Sequence, residues 1–349
     1  MSYIINNNRY KKKFKKKDLY KYIYKKNRIS KFPQYENNYY NFFNEYAKQN
    51  YKLIDNNCLC GTKDDIKLSE TDRHCVDFVT VVCKGCGLIR AAKYFRNEDV
   101  VDFYKNFYRK ENYYEHQKNV NPQRKFEDQK NSFKSKFELI QNYKLYEFKK
   151  KKIVDLGGGV GGSLDLFDKG NELFLFDFFD PFLNYARSKG IQSFKGGLEK
   201  INFKPDLIIF SHVMEHWNNF DLEIRKLIEI QKVGETLNYI EFPGVDSLRD
   251  GRHQGDILRD IHVPHVYYFT SYIFENLMNR YGFEKLYIDK EIRSIFIYTG
   301  KKMKLINYYK RVINDIKEAE KTRKKYIFRN IIKLLIPDFF LKLIKKIIN

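Results

Sequence analysis

The chain is poor in several things. Its 349 residues include five cysteines, seven prolines, four methionines and one tryptophan. Five cysteines, four of them in two tight pairs, do not make a disulfide framework; they suit a reducing compartment and a metal ion. No run of about 18 apolar residues occurs, so hydropathy gives no membrane-spanning helix. The opening stretch "MSYIINNNRYKKKFKKK" has no apolar core and does not read as a secretory signal. The expected location is therefore cytoplasmic. Acidic residues are scarce at both ends. Residues 1–35 hold 12 Lys/Arg against one acid, and residues 301–349 hold 15 against four, whereas the remainder is balanced at 39 against 39. The net charge of +22 thus belongs to the two ends, which argues against the central body being a nucleic-acid-binding domain and for electrostatic tethering through the ends.

A hydrophobic content of 43% is enough for a real core. Composition shifts divide the chain into a basic arm (1–50), a cysteine-bearing β-rich module (51–97), a helical linker or lid (98–150), an α/β domain (151–300) and a basic tail (301–349). From residue 152 strands and helices alternate. "KIVDL", "ELFLFD", "DLIIFS" and "TLNYIEF" read as strands, with a short one near "QSFKG". "GSLDLFDKG", "PFLNYARSKG", "NFDLEIRKLIEIQKVG" and "TSYIFENLMNRYGF" read as helices, the last capped by Thr270 or Ser271. This alternation predicts a parallel sheet with helices on both faces. The closing pair "EKLYIDK" and "RSIFIYTG" predicts one antiparallel strand at its end.

Five of the six residues 157–162 are glycine, directly after the first of these strands. The spacing fits a dinucleotide fingerprint, Gly157-x-Gly159-x-x-Gly162, and equally an S-adenosylmethionine (SAM) loop, Asp155-x-Gly157-x-Gly159-x-Gly161. Asp177, ending the second strand, can take the two hydroxyls of an adenosine ribose in either cofactor. Asp155 favours SAM: a carboxylate there repels a pyrophosphate but favours an ammonium and a sulfonium.

These segments resemble class I SAM-dependent methyltransferases over roughly residues 150–300. "IVDLGGGVGG" resembles their first motif, "FDFFDPFLNYARSKG" the second-strand acid and following helix, "DLIIFSHVMEHWNN" the fourth strand, and "LNYIEFPG" with "HVYYFT" the fifth strand and the loop after it. The resemblance implies a Rossmann-like seven-stranded α/β sheet with SAM across the carboxyl ends of its first strands, and Gly197, Leu198 and Glu199 near the adenine.

Cys58 and Cys60 in "CLCG", with Cys83 and Cys86 in "CKGCG", give two thiolate pairs able to close a tetrahedral structural Zn2+ site; Cys75 is a substitute ligand. "CKGCGLIRA" followed by "DFYKNFYRKENYY" resembles the zinc ribbon that precedes some sugar methyltransferases of surface-polysaccharide and deoxysugar pathways. That resemblance extends over residues 55–300.

Methyl transfer needs an aligned acceptor and a group to take its proton. Candidates at the strand ends are His212, Glu215 and His216 in "SHVMEHW", and His262 and His265 in "IHVPHVYYF". His216 comes first as base, with Glu215 orienting it and His265 second. Tyr267, Tyr268 and Phe269 are either a sugar-stacking wall or core. Related sugar C-methyltransferases carry a tyrosine two residues before the glutamate of their Glu-His pair. Val213 stands there here, which shifts the expectation to O-methylation.

The tail "RNIIKLLIPDFFLKLIKKIIN" suits a helix lying on an anionic membrane surface, at the inner face of the membrane, or one packed on the body. The expected function is SAM-dependent methyl transfer to a sugar, as a sugar nucleotide or within a surface glycan. The alternative is an RNA methyltransferase, or an RNA-binding zinc protein, using the basic ends.

Overall fold

The structure is a computed structural model and describes residues 35–108, 121–143 and 149–335. The basic cluster of residues 1–34 and the tail beyond Leu335 lie outside the described residues.

The N-terminal module opens with α1 (Tyr35–Asn50), where the sequence predicts a partly disordered or weakly helical arm. Tyr40 and Phe43 bury its inner face. Five short strands follow: β1 (Leu53–Asp55), β2 (Asp65–Thr71), β3 (Asp77–Cys83), β4 (Ile89–Ala91) and β5 (Lys93–Phe95). After them come α2 (Asn97–Phe103), which runs into a π-turn over Tyr104–Tyr108, and α3 (Pro122–Asn142). Asn121 caps α3, its side chain accepting a hydrogen bond from the Gln123 N–H at 2.9 Å.

The main sheet has seven strands: β6 (Lys152–Leu156), β7 (Glu172–Asp177), β8 (Gln192–Lys195), β9 (Leu207–Ser211), β10 (Leu237–Glu241), β12 (Phe283–Ile288) and β13 (Arg293–Tyr298). Their spatial order is β12-β13-β10-β9-β6-β7-β8. The strands pair in parallel except around β13, which is antiparallel to both β10 and β12. The antiparallel strand is therefore interior: the turn after β12 returns the chain between β12 and β10, not to the sheet edge.

Alternation along the strands feeds two cores. Val154, Leu156, Phe176, Ile208 and Phe210 face one side, with α5 (Phe220–Glu229), α6 (Ser271–Tyr281) and the first half of α7 (Tyr309–Leu335). Ile153, Leu175, Leu207, Ile209 and Tyr239 face the other, with α3 and α4 (Asp180–Ser188). Helices on both faces of a mixed seven-stranded sheet confirm the α/β expectation. Thr270 is the cap of α6, accepting from the Ile273 N–H at 3.3 Å. The helix expected after the glycine loop is only a 3-10 turn, Leu164–Leu166; α3, arriving from the N-terminal side, fills that place by packing against the turn.

One strand joins the two halves. β11 (Tyr267–Tyr268) leaves the loop after β10 and pairs with β4, completing a four-stranded sheet β11-β4-β3-β2. The first core accordingly runs without a break from Tyr40 and Phe43 to Phe210 and Phe242.

Candidate active site and metal cluster

Strand order reverses between β6 and β9, since β7 and β8 lie to one side of β6 and β9 to the other. In such sheets the crevice at the carboxyl ends of the two diverging strands is the ligand site. The glycine loop leaves β6 there and His212 leaves β9.

The loop needs its glycines. Gly157, Gly159 and Gly161 have φ of +70°, +59° and +81°, which side chains with a Cβ rarely adopt. A Cβ on Gly157 would stand 2.9 Å from Val213, and one on Gly158 would stand 2.3 Å from the Asp155 carboxylate. Asp177 shapes the loop, accepting the Gly159 N–H at 3.1 Å and the Phe179 N–H at 2.8 Å. The Gly196 N–H donates to the Asp177 carbonyl at 3.1 Å, which brings the turn holding Gly197, Leu198 and Glu199 beside the second-strand acid. Leu198 is buried, and the Glu199 carboxylate accepts the Gly197 N–H at 3.0 Å. The exposed Phe178 ring borders Gly197. Asp155 is buried beneath the loop, and the Ser163 hydroxyl donates to it. Its second oxygen receives no hydrogen bond among the described residues. Burial pushes its pKa up to about 7, against the pull of Ser163.

An orphaned buried carboxylate below a bare-backbone cradle, with a second acid at the next strand end, fits the charge pattern of SAM. Asp155, the 157–161 loop, Asp177 and the 197–199 turn are the residues that would hold it. Gln129 on α3 was not legible in the sequence; its side-chain oxygen accepts the Gly162 N–H at 3.3 Å, so α3 closes over the loop.

Glu215 lies in the 3-10 turn Met214–His216 after β9, with its side chain 2% exposed. His212 Nδ1 is 3.3 Å and His216 Nε2 3.7 Å from the same carboxylate oxygen. Burial works to raise the Glu215 pKa, but His216, His212 and His265 outweigh it and bring it to about 2. The His216 Nδ1 sits 2.7 Å from the Pro264 carbonyl and 3.1 Å from the Tyr104 hydroxyl. A carbonyl only accepts, so Nδ1 carries the proton there. His265 packs edge-on against His216, ring centroids 4.7 Å apart, and burial pushes its pKa down to about 3.

The structure thus brings His216, Glu215 and His265 together, but the exposed ring of the group is His212. Its side chain is 55% exposed, and its φ of +57° is strained for a residue with a Cβ. Partial burial works against a proton on it, yet Glu215 outweighs this and holds its pKa above the usual value. His262 is buried behind His265, ring centroids 4.7 Å apart, and stands edge-on to His74 at 6.4 Å. Tyr267, Tyr268 and Phe269 are fully core, which excludes them as a stacking wall.

Cys58, Cys60, Cys83 and Cys86 converge. Cys58–Cys86, Cys58–Cys60 and Cys60–Cys83 sulfurs lie 3.5, 3.4 and 3.5 Å apart. Tetrahedral ligands at ~2.3 Å from zinc are about 3.8 Å apart, so the four sulfurs have nearly the required spacing. Cys75 is exposed and outside the cluster. A buried Arg90 fixes the adjoining sheet through both oxygens of Asp65, at 3.0 and 2.9 Å.

The fold is a Rossmann-like seven-stranded sheet of the methyltransferase type. Residues 128–288 match the family model described as "Methyltransferase domain", and the chain carries a SAM-dependent methyltransferase domain. A search of curated proteins finds no match. Similar solved structures include the magnesium protoporphyrin IX methyltransferase of Synechocystis PCC 6803 with bound SAH, 13% identical over 58% of this chain and 100% of that one, TM-score 0.40. A SAM-dependent methyltransferase of Aquifex aeolicus is 13% identical over 51% of this chain and 96% of that one, TM-score 0.37. The PH0226 protein of Pyrococcus horikoshii OT3 is 20% identical over 47% and 88%, TM-score 0.36.

Proposed function

We propose that the protein transfers the methyl group of SAM to a hydroxyl of a sugar, carried on a nucleotide or within a surface glycan. The observation that carries the placement of the reaction is Val213 against Gly157: it sets the His212/Glu215/His216/His265 cluster beside the proposed cofactor cradle. When bound, SAM supplies an electrophilic methyl on a sulfonium. The chain's own work is to align the acceptor oxygen and take its proton as the new C–O bond forms and the S–C bond breaks. His212, exposed and with its Nδ1 3.3 Å from a buried carboxylate, is placed to take that proton. Glu215, His216 and His265 form the rigid floor behind it. Support for a sugar comes from the resemblance of residues 55–300 to zinc-ribbon-bearing sugar methyltransferases, and Val213 in place of a tyrosine favours oxygen over carbon as acceptor.

In the same reading the four cysteines hold a structural Zn2+, and the protein works in the cytoplasm at an anionic membrane face. On α7, Ile327, Phe328 and Ile331 are exposed among Lys324, Lys325 and Arg329, an amphipathic basic surface. Among the described residues no helix is long and apolar enough to cross a membrane.

The test is methyl transfer from radiolabelled SAM to a panel of sugar nucleotides, with total tRNA as a second arm. Label on a sugar nucleotide, lost in His212→Ala, is the expected result. Label on tRNA alone replaces the sugar reading with the RNA one.

A further inference from the structure

Glu215 is a buried carboxylate faced by imidazoles alone among its ion-pair neighbours in the described residues. Neither carboxylate oxygen receives a hydrogen bond among the described residues. An anion buried in this way calls for a compensating cation. Its ion-pair neighbours among the described residues are two imidazoles, His212 and His216, and imidazole carries positive charge only when protonated. The third ring, His265, comes from a different loop, which the Val266 N–H fixes by donating to the Glu215 carbonyl at 2.8 Å.

One ligand atom each from Glu215, His216 and His265 lies within 4.8 Å of the other two. The Pro264 carbonyl holds the proton on His216 Nδ1 and turns Nε2 toward Glu215. Metal-binding histidines are oriented in this way by a backbone acceptor on the far nitrogen.

We propose that Glu215, His216 and His265 form a binding site for a divalent transition-metal ion, separate from the four-cysteine cluster. Two imidazoles and a carboxylate suit zinc, cobalt, iron or manganese, not the all-oxygen preference of calcium or magnesium. The proposal deepens the reading that the methyl acceptor lies at this cluster and rests on that reading for its role. A divalent cation there would lower the pKa of a hydroxyl beside it, leaving His212 to take the proton at the cleft mouth.

The experiment uses the full chain, first loaded with zinc at the cysteines and then titrated with Co2+ by calorimetry and visible absorption. The expected result is one further equivalent of metal, whose spectrum lacks thiolate charge-transfer bands. Glu215→Gln and His265→Ala should each weaken this equivalent at least tenfold while leaving the cysteine-bound zinc and SAH binding in place. SAH binding reports that each variant is folded; if one is not, His265→Gln, which keeps a polar side chain of similar size, gives the same comparison. No further equivalent in the wild type, or one unchanged in the variants, overturns the metal site and leaves an imidazolium as the partner of Glu215. Failure of the wild type to methylate any sugar overturns the functional reading instead, and the metal count is unaffected by it.

Discussion

Asp155 and Asp177 do different work though both end a strand. Asp177 ties two backbone N–H groups and so shapes the loop; Asp155 keeps one oxygen under it without a partner among the described residues. A cationic ligand favours the ionised form of Asp155, whose carboxyl is neutral below its raised pKa of about 7. SAM affinity should therefore rise from pH 6 to pH 8 and flatten in Asp155→Asn, as calorimetry across that range will show. Asp177→Ala removes a carboxylate taking two charge-assisted bonds, each worth about 1.5–3 kcal/mol, and should weaken SAH at least tenfold. The glycines and both acids were legible in the sequence because each answers a local demand: a left-handed φ, or a charge at a strand end. The cluster was legible only in part. Glu215 and His216 are adjacent in sequence, but nothing local says that the neighbouring His212, at φ +57°, is the ring that stays exposed while His216 turns to the Pro264 carbonyl.

Among the elements, α3 departs furthest from expectation. The sequence places residues 98–150 in a linker or lid, yet Phe126, Phe133 and Ile140 belong to a core of the main sheet. Phe133 meets Tyr239 of β10 edge-on at 5.7 Å, and Lys136 reaches Glu241 at the end of that strand at 2.5 Å. Helical periodicity announces an apolar stripe but not the surface it will cover, and the short turn after the glycine loop leaves room that only tertiary structure reveals. Phe133→Ala should cost about 3–5 kcal/mol of stability, read as a lowered urea midpoint. The main-sheet strands were legible because buried parallel strands are continuous apolar runs. The interior position of β13 was not, because a short turn fixes which strand it follows and not which strand lies on its other side.

At the scale of the whole molecule, the basic face of α7 and the proposed metal sites lie on separate parts. Stripping the cysteine cluster with a chelator should lower the thermal midpoint on the order of 5 °C, as a loss of about 2 kcal/mol does in a chain of this size class, measured by thermal scanning with and without added zinc. The exposed face of α7 should sediment the full chain with phosphatidylserine vesicles and not with phosphatidylcholine ones. Phe328→Asp, at a position 66% exposed and so without a packing cost, should weaken that association at least fivefold, and salt should weaken it further.

The pairing of β11 with β4 reaches beyond stability. A two-residue strand from the loop after β10 is the edge of the cysteine-bearing sheet, so the chain closes on itself like a clasp whose two parts lie far apart in sequence. Neither part is a portable cassette. Grafting this N-terminal module onto another methyltransferase would transplant a sheet missing its outer strand, and an exchange of parts between relatives at the 97–98 boundary would succeed only if the loop at 261–268 travelled with it.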